Sequence, residues 1–202
     1  MELVKYNNRS ILNVTALDSL SSGSLVLLNT NTISSASSSS FTSNINSTYD
    51  TYLFEFINLH PASNNVDFQV NFRDGGSDYD ATKTMTQFLC NHTEAGGGNS
   101  LSGNTSKILA QSTNYASLNE NTYGTDADSS LSGYMYLFSP SSTVFLKHFL
   151  ARVAFMATNP GARGDYTQGY ANVTSAIDGV DFKFSSGDIE SGIIKMYGLS
   201  KS

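Results

Sequence analysis

Val66, Phe68, Val70 and Phe72 alternate with Asp67, Gln69, Asn71 and Arg73. A period of two places the four apolar side chains on one face of a strand and the polar ones on the other. A slip of one residue would bury Asp67 and Arg73, so the alternation also fixes the register. The same period recurs between residues 177 and 198, where Val180, Phe182 and Phe184 alternate with Asp181, Lys183 and Ser185. Ser185-Ser186-Gly187-Asp188 supplies turn chemistry, and Ile193 to Tyr197 returns as a second strand, which predicts a terminal antiparallel hairpin. Tyr52 to His60 is apolar on both alternating sets and is followed by Pro61, the pattern of a central strand covered on both faces.

Further strands are predicted at Thr84 to Cys90, Lys107 to Gln111, Leu131 to Phe138, Val144 to Phe155 and Gln168 to Val173. Ser139 to Thr143, with Pro140 at the second turn position, joins two of them into a hairpin. Phe145, Phe149 and Val153 also fit a helical i, i+4, i+8 spacing, but the preceding hairpin favours a strand. Three long polar loops are expected, at residues 91–106 around Gly96-Gly97-Gly98, at 112–130 and at 157–167.

Residues 1–32 follow another pattern. Ile11, Leu12, Val14 and Leu17 form a weak apolar run interrupted by Asp18, and Ser24 to Leu28 is a candidate strand. Ser34 to Ser40 is almost all serine, the composition of a flexible linker or of a poor edge strand. The expected organisation is therefore an N-terminal arm, residues 1–32, before an antiparallel β-sandwich at 33–202. Ile11, Leu12, Val14 and Leu17 are its candidate anchoring residues, because such a run has no obvious place in the sandwich.

Composition supports an all-β chain and narrows its partners. Of 202 residues, 32 are Ser, 18 Thr and 19 Asn, while only 14% are charged. With 12 Phe and 11 Tyr, this suits short strands joined by polar loops rather than helices laced with salt bridges. A net charge of −6 with no Lys/Arg cluster argues against nucleic acid. No apolar run approaches a membrane span, and the first residues have no uninterrupted apolar core of the signal-peptide kind. One cysteine, Cys90, excludes an internal disulfide framework. Six Asn-x-Ser/Thr sequons carry no information, since about five are expected by chance in so rich a background.

No catalytic constellation emerges. His60, His92 and His148 lack metal-ligand spacing, and Cys90 with His92 on one extended segment is not a zinc site. Asp74-Gly75-Gly76-Ser77-Asp78-Tyr79-Asp80 could offer calcium oxygen ligands but lacks the EF-hand order and reads as a solvated turn, as do Asp126 and Asp128. Arg163-Gly164-Asp165 spells an integrin tripeptide that chance and loop chemistry explain. Tyr115, Tyr123 and Tyr166, placed in polar loops, are the candidate receptor-contacting residues because tyrosine rings stack on sugars. No cofactor and no metal is expected.

Several stretches together resemble a family of small virion proteins of tailed bacteriophages, especially marine ones. They are MELVKYNNRSI at the start, STYDTYLFEFINLHPA, VNFRDGGSDYDATKT, LSGYMYLFSPSSTVFLKHF and IDGVDFKFSSGDIESGIIKMYG, spread over nearly the whole chain. The resemblance implies a jelly-roll type β-sandwich used as a capsid decoration, knob or tail fibre head. It implies no catalytic residues, synthesis in the host cytoplasm, and residence in the virion beside other capsid or tail proteins. Tyr52 to His60 and Val144 to Phe155 offer more apolar face than one small sandwich buries, which predicts a homo-oligomer, and the analogy with virion proteins favours a trimer before other states. A carbohydrate-binding receptor module at a fibre tip is the alternative, with a host surface glycan as partner.

Overall fold

The computed structural model describes residues 25–120 and 124–199. All regular structure in them is strand: β1 (Leu25–Ala36), β2 (Ser39–Phe41), β3 (Thr51–Pro61), β4 (Phe68–Arg73), β5 (Lys83–Thr93), β6 (Ser100–Gly103), β7 (Leu109–Ser112), β8 (Ala116–Ser117), β9 (Leu131–Phe138), β10 (Lys147–Met156), β11 (Gly161–Ala171), β12 (Gly179–Phe184) and β13 (Ile189–Leu199). They form two antiparallel sheets. The larger runs β1-β13-β3-β9-β10-β11-β5-β6, with β7 also paired to β5, and the smaller runs β2-β12-β4-β8. The chain is thus all-β and antiparallel with two facing layers, as the alternation predicts. A jelly-roll connectivity is not shown by this nine-against-four division, in which β9, β10 and β11 form a plain meander.

The layers meet through phenylalanines. Phe182 of β12 sits within 5.2 to 6.2 Å, centroid to centroid, of Phe41 and Phe68 in its own sheet and of Phe54 and Phe56 in the large one. All five are at most 1% exposed. Val66, Phe68, Val70 and Phe72 are buried as their alternation requires, and β4 pairs with β12 through Phe68↔Phe184 and Phe72↔Val180. Of the set expected to face solvent, however, Asp67 and Asn71 are buried too, because Asp67 pairs with Lys107 and Asn71 bonds the Thr113 carbonyl.

The terminal hairpin is corrected. β12 and β13 do not pair; β12 joins β2 and β4 while β13 lies between β1 and β3. Residues 185–188 turn a corner from one layer to the other. The inward residues Phe182 and Met196 therefore face the same core from opposite sheets, and alternation is identical for a hairpin within a sheet and for a corner between two.

β3 also differs from the double-covered strand expected. Tyr52, Phe54, Phe56 and Leu59 are buried, whereas Leu53 and Ile57 are only half-buried on the outer face. The switch of parity comes from a bulge between Phe56 and Leu59, where Asn58 is exposed with φ 48. In β10 the strand alternation prevails over the helical spacing. Phe149, Ala151, Val153 and Phe155 point inward, while Val144 and Phe145 precede the strand and are 72% exposed.

The boundary drawn between residues 32 and 33 falls inside β1, which pairs with β13 from Leu25↔Leu199 to Ala36↔Ile189. Residues 25–32 therefore belong to the sheet. Ser34 to Ser40 is neither a linker nor one edge strand: it holds the end of β1, a bend and the start of β2. Ile11, Leu12, Val14 and Leu17 lie outside the described residues. All three expected loops are partly strand, since 100–103 is β6, 116–117 is β8 and 161–171 is β11.

Candidate functional site

Two places gather chemically capable side chains: a polar seam between the sheets and the outer face of the large sheet.

The seam lies at the β4, β5 and β11 end of the core, where Asp67, Gln87, Asn104, Ser117, Asn119, Asp165 and Thr167 are all buried. Buried polar groups need partners, and most of these have them. Gln87 donates from Nε2 to Thr167 Oγ1 at 2.9 Å and to the Ser117 carbonyl at 3.2 Å, and accepts from Asn104 Nδ2 at 2.8 Å. Lys107 Nζ pairs with Asp67 Oδ2 at 2.7 Å, and Ser117 Oγ donates to the same oxygen at 3.0 Å. Asn119 accepts from the Phe68 N–H and donates to the Glu120 carbonyl at 2.8 Å. Asp165 is fully buried, accepts from the Glu120 N–H and lies beside Arg163, whose guanidinium also pairs with Glu120. Burial outweighs Arg163 here and pushes the Asp165 carboxyl up to about 7, with Asp67 adding repulsion.

The seam joins segments far apart in sequence and is closed to solvent, so it specifies the fold. Arg163-Gly164-Asp165 is therefore no displayed tripeptide. It is in β11, with the Arg163 side chain 10% exposed and Asp165 at 0%. The sequence reading missed Lys83 and Lys147, both fully buried on the core side, in register on either side of Ala171. Each caps a carbonyl, Lys83 that of Asn114 at 2.7 Å and Lys147 that of Val173 at 2.9 Å. Desolvation lowers both, Lys83 to about 8. Their inward positions in the β5 and β10 alternation were the available signal.

Tyr115 and Tyr166 are not brought together. Tyr115 lies against the small sheet, its hydroxyl donating to Asp181 Oδ2 at 2.8 Å with Lys183 Nζ 4.2 Å from its ring centroid. Burial, followed by that hydrogen bond, raises its pKa. Tyr166 is in β11, not in a loop; it stacks on Phe88 at 4.6 Å and carries the Arg152 guanidinium 5.0 Å from its ring. Tyr123 lies outside the described residues. His60 is held by Glu190 at 3.1 Å and by the Asp126 carbonyl at 3.1 Å, and His148 leans on Tyr170. Asp74 accepts from Ser175 Oγ at 3.2 Å, and the Asp74 to Asp80 turn is largely exposed. Among the described residues no group of three or more His, Cys, Asp or Glu side chains could hold a metal ion.

The outer face of the large sheet is the second place. Register sets Phe88, Tyr166, Arg152, Tyr134, Glu55 and Lys195 side by side across six strands. The neighbouring row is Gln168, Leu150, Tyr136, Leu53, Tyr197 and Leu27. Phe88, Tyr134, Leu150 and Leu27 are 36%, 36%, 39% and 53% exposed. Between β5, β10 and β11 the rows part into a groove of about 430 Å³, walled by Thr84, Thr86, Phe138, His148, Leu150, Gln168 and Tyr170. Met85, Phe149 and Gly169 complete its lining. The walls are apolar rings and methyls with a few polar tips from His148, Gln168 and Tyr170. Strand alternation reveals these outer residues only once the inner face is known. No family model, curated protein or solved structure matches this chain.

Proposed function

We propose that this chain is a non-enzymatic structural protein of a bacteriophage virion surface, a capsid decoration or knob or a tail-associated fibre head, which associates with other virion proteins and with copies of itself. The observation that carries the reading is the outer face of the large sheet, where Phe88, Tyr166, Tyr134, Leu150, Tyr136, Leu53, Tyr197 and Leu27 run in rows interspersed with Arg152, Glu55, Lys195 and Gln168, and no strand among the described residues covers them. Contiguous apolar surface of this kind marks association. Asp67 and Asp165, both buried carboxylates, are engaged in the interior seam, which supports a structural role over catalysis. The resemblance to virion proteins supplies the setting. Antibody raised against the purified chain should decorate intact, gradient-purified particles in electron micrographs. Protein found only free in the lysate, with bare particles, would overturn the proposal.

The groove favours one second reading, a carbohydrate-binding receptor module. Tyr170, His148 and Gln168 at its wall offer ring faces and amide hydrogen bonds to a sugar, which Tyr115 and Tyr166 cannot do while engaged with Asp181 and Phe88. Glycan-array binding abolished by Tyr170→Ala would establish this reading, and a blank array would remove it.

A further inference from the structure

A sheet edge presents a row of unpaired N–H and C=O groups, and folded proteins blunt such edges by keeping them short or by placing Lys or Pro on them. Among the described residues the two sheets have four edges, of which three are short: β6 has four residues, β2 three and β8 two. The fourth, β1, runs twelve residues, LVLLNTNTISSA, and contains no charged residue and no proline, in a chain that is 14% charged. A register shift between Leu27 and Asn29 and the positive φ of Ser35, 49°, bound a regular stretch from Asn29 to Ser34 against β13.

The orientation of the edge can be read from Thr30. Its N–H is bonded by the side-chain oxygen of its neighbour Asn29 at 2.8 Å, so it points away from β13. By the alternation of an antiparallel ladder, Thr32 and Ser34 direct their backbone groups the same way. The side chains of all three are exposed, and Leu25 and Leu27 beside them are 46% and 53% exposed. β2 does not cover this edge: its link to β1 is Asn31, whose inward side chain donates to Ser39 Oγ at 3.0 Å and to the Ser40 carbonyl at 3.2 Å.

We infer that β1 is the contact between two copies of this chain, paired antiparallel with β1 of the second copy about a two-fold axis so that the two large sheets become one. The occupant must itself be a strand, because the surface on offer is backbone. A second β1 meets that need with Thr and Ser opposite Thr and Ser, and neither strand brings a charge to the seam, although each chain carries a net −6. A strand paired with its own copy gives an isologous, closed contact. The number expected is therefore two, in place of the three that analogy with virion proteins favours. The inference goes beyond the virion reading and is tested without particles, so either can fail alone.

The test is sedimentation equilibrium of the full chain over a micromolar concentration series, beside Thr32→Lys/Ser34→Lys. The unaltered chain should reach an even-numbered species. The variant, which places four lysines across the seam, should associate at least about tenfold more weakly with an unchanged circular dichroism spectrum. A monomer throughout, a trimer alone, or a variant that associates equally well would overturn the inference. Hydrogen exchange on the unaltered chain guards against a misfolded variant. Amide protection at Thr32 and Ser34 should rise with protein concentration. Protection that is high at every concentration would mean that residues 1–24 or another segment of the same chain cover the edge, and would equally overturn it.

Discussion

Replacing Asp165 by Asn probes the seam through its pH dependence. The Asp165 carboxyl is at 0% exposure and stands at about 7 in the fold against 3.8 in the open chain. A raised carboxyl means that the folded chain binds more protons than the unfolded one between those two values, so stability falls as pH rises through that window and levels off above it. About three units at about 1.4 kcal/mol each give ~4 kcal/mol in all, of which ~2 to 3 kcal/mol is lost between pH 5 and pH 8. Asn keeps an acceptor for the Glu120 N–H and never ionises. Urea unfolding of both proteins at the two pH values isolates the group, since other carboxylates cancel in the difference. The variant should gain on the unaltered protein by ~2 to 3 kcal/mol in going from pH 5 to pH 8. A difference that does not change with pH, or that moves in favour of the unaltered protein, would show Asp165 ionised and held by Arg163, and would refute the reasoning.

Lys83→Met should show the opposite course: the Lys83 amine stands at about 8 instead of 10.5, so the unaltered protein gains on the variant as pH rises between those values, by about 3 kcal/mol at most in urea titrations. Phe182→Ala removes the ring that touches four others and should cost about 3 to 5 kcal/mol in the same assay. Gly133→Ala should cost about 3 kcal/mol or more, because a Cβ there would stand 2.2 Å from the Arg152 carbonyl of the neighbouring strand and neither backbone can yield. Tyr170→Ala, on the groove wall, should leave the thermal midpoint within about 2 °C while changing whatever binding the outer face supports.

Alternation made much of this fold legible. The apolar set Val66, Phe68, Val70 and Phe72 and the strand Leu131 to Phe138 are where the period of two puts them, and the Pro140 turn joins β9 to β10 as expected. What alternation does not carry is which sheet a strand joins. Val180 to Phe184 and Ile193 to Tyr197 have the right strands and the wrong pairing, because a corner between layers demands the same inward residues as a hairpin. Nor does it mark bulges: Asn58 switches the parity of β3 and made one face look like two. The site was less legible for a related reason. Tyr115 and Tyr166 were chosen for loop-like surroundings, yet Tyr166 belongs to an eleven-residue strand whose sequence, GARGDYTQGYA, contains three glycines and only short apolar stretches. Lys83 and Lys147 carried no signal of burial in their own segments, and only the neighbouring strands turn them into buried cations. The outer rows of Phe88, Tyr134, Tyr136 and Leu150 are a product of register across four strands, which no single segment displays.

The central claim is that this chain is a stoichiometric part of a particle surface. Quantitative mass spectrometry of gradient-purified particles, calibrated with labelled peptides of this chain and of the major capsid protein, measures that directly. The expected result is a fixed ratio between the two proteins that persists through repeated banding. Peptides of this chain that are absent from the particles, or whose ratio falls towards zero with each round of purification, would contradict it.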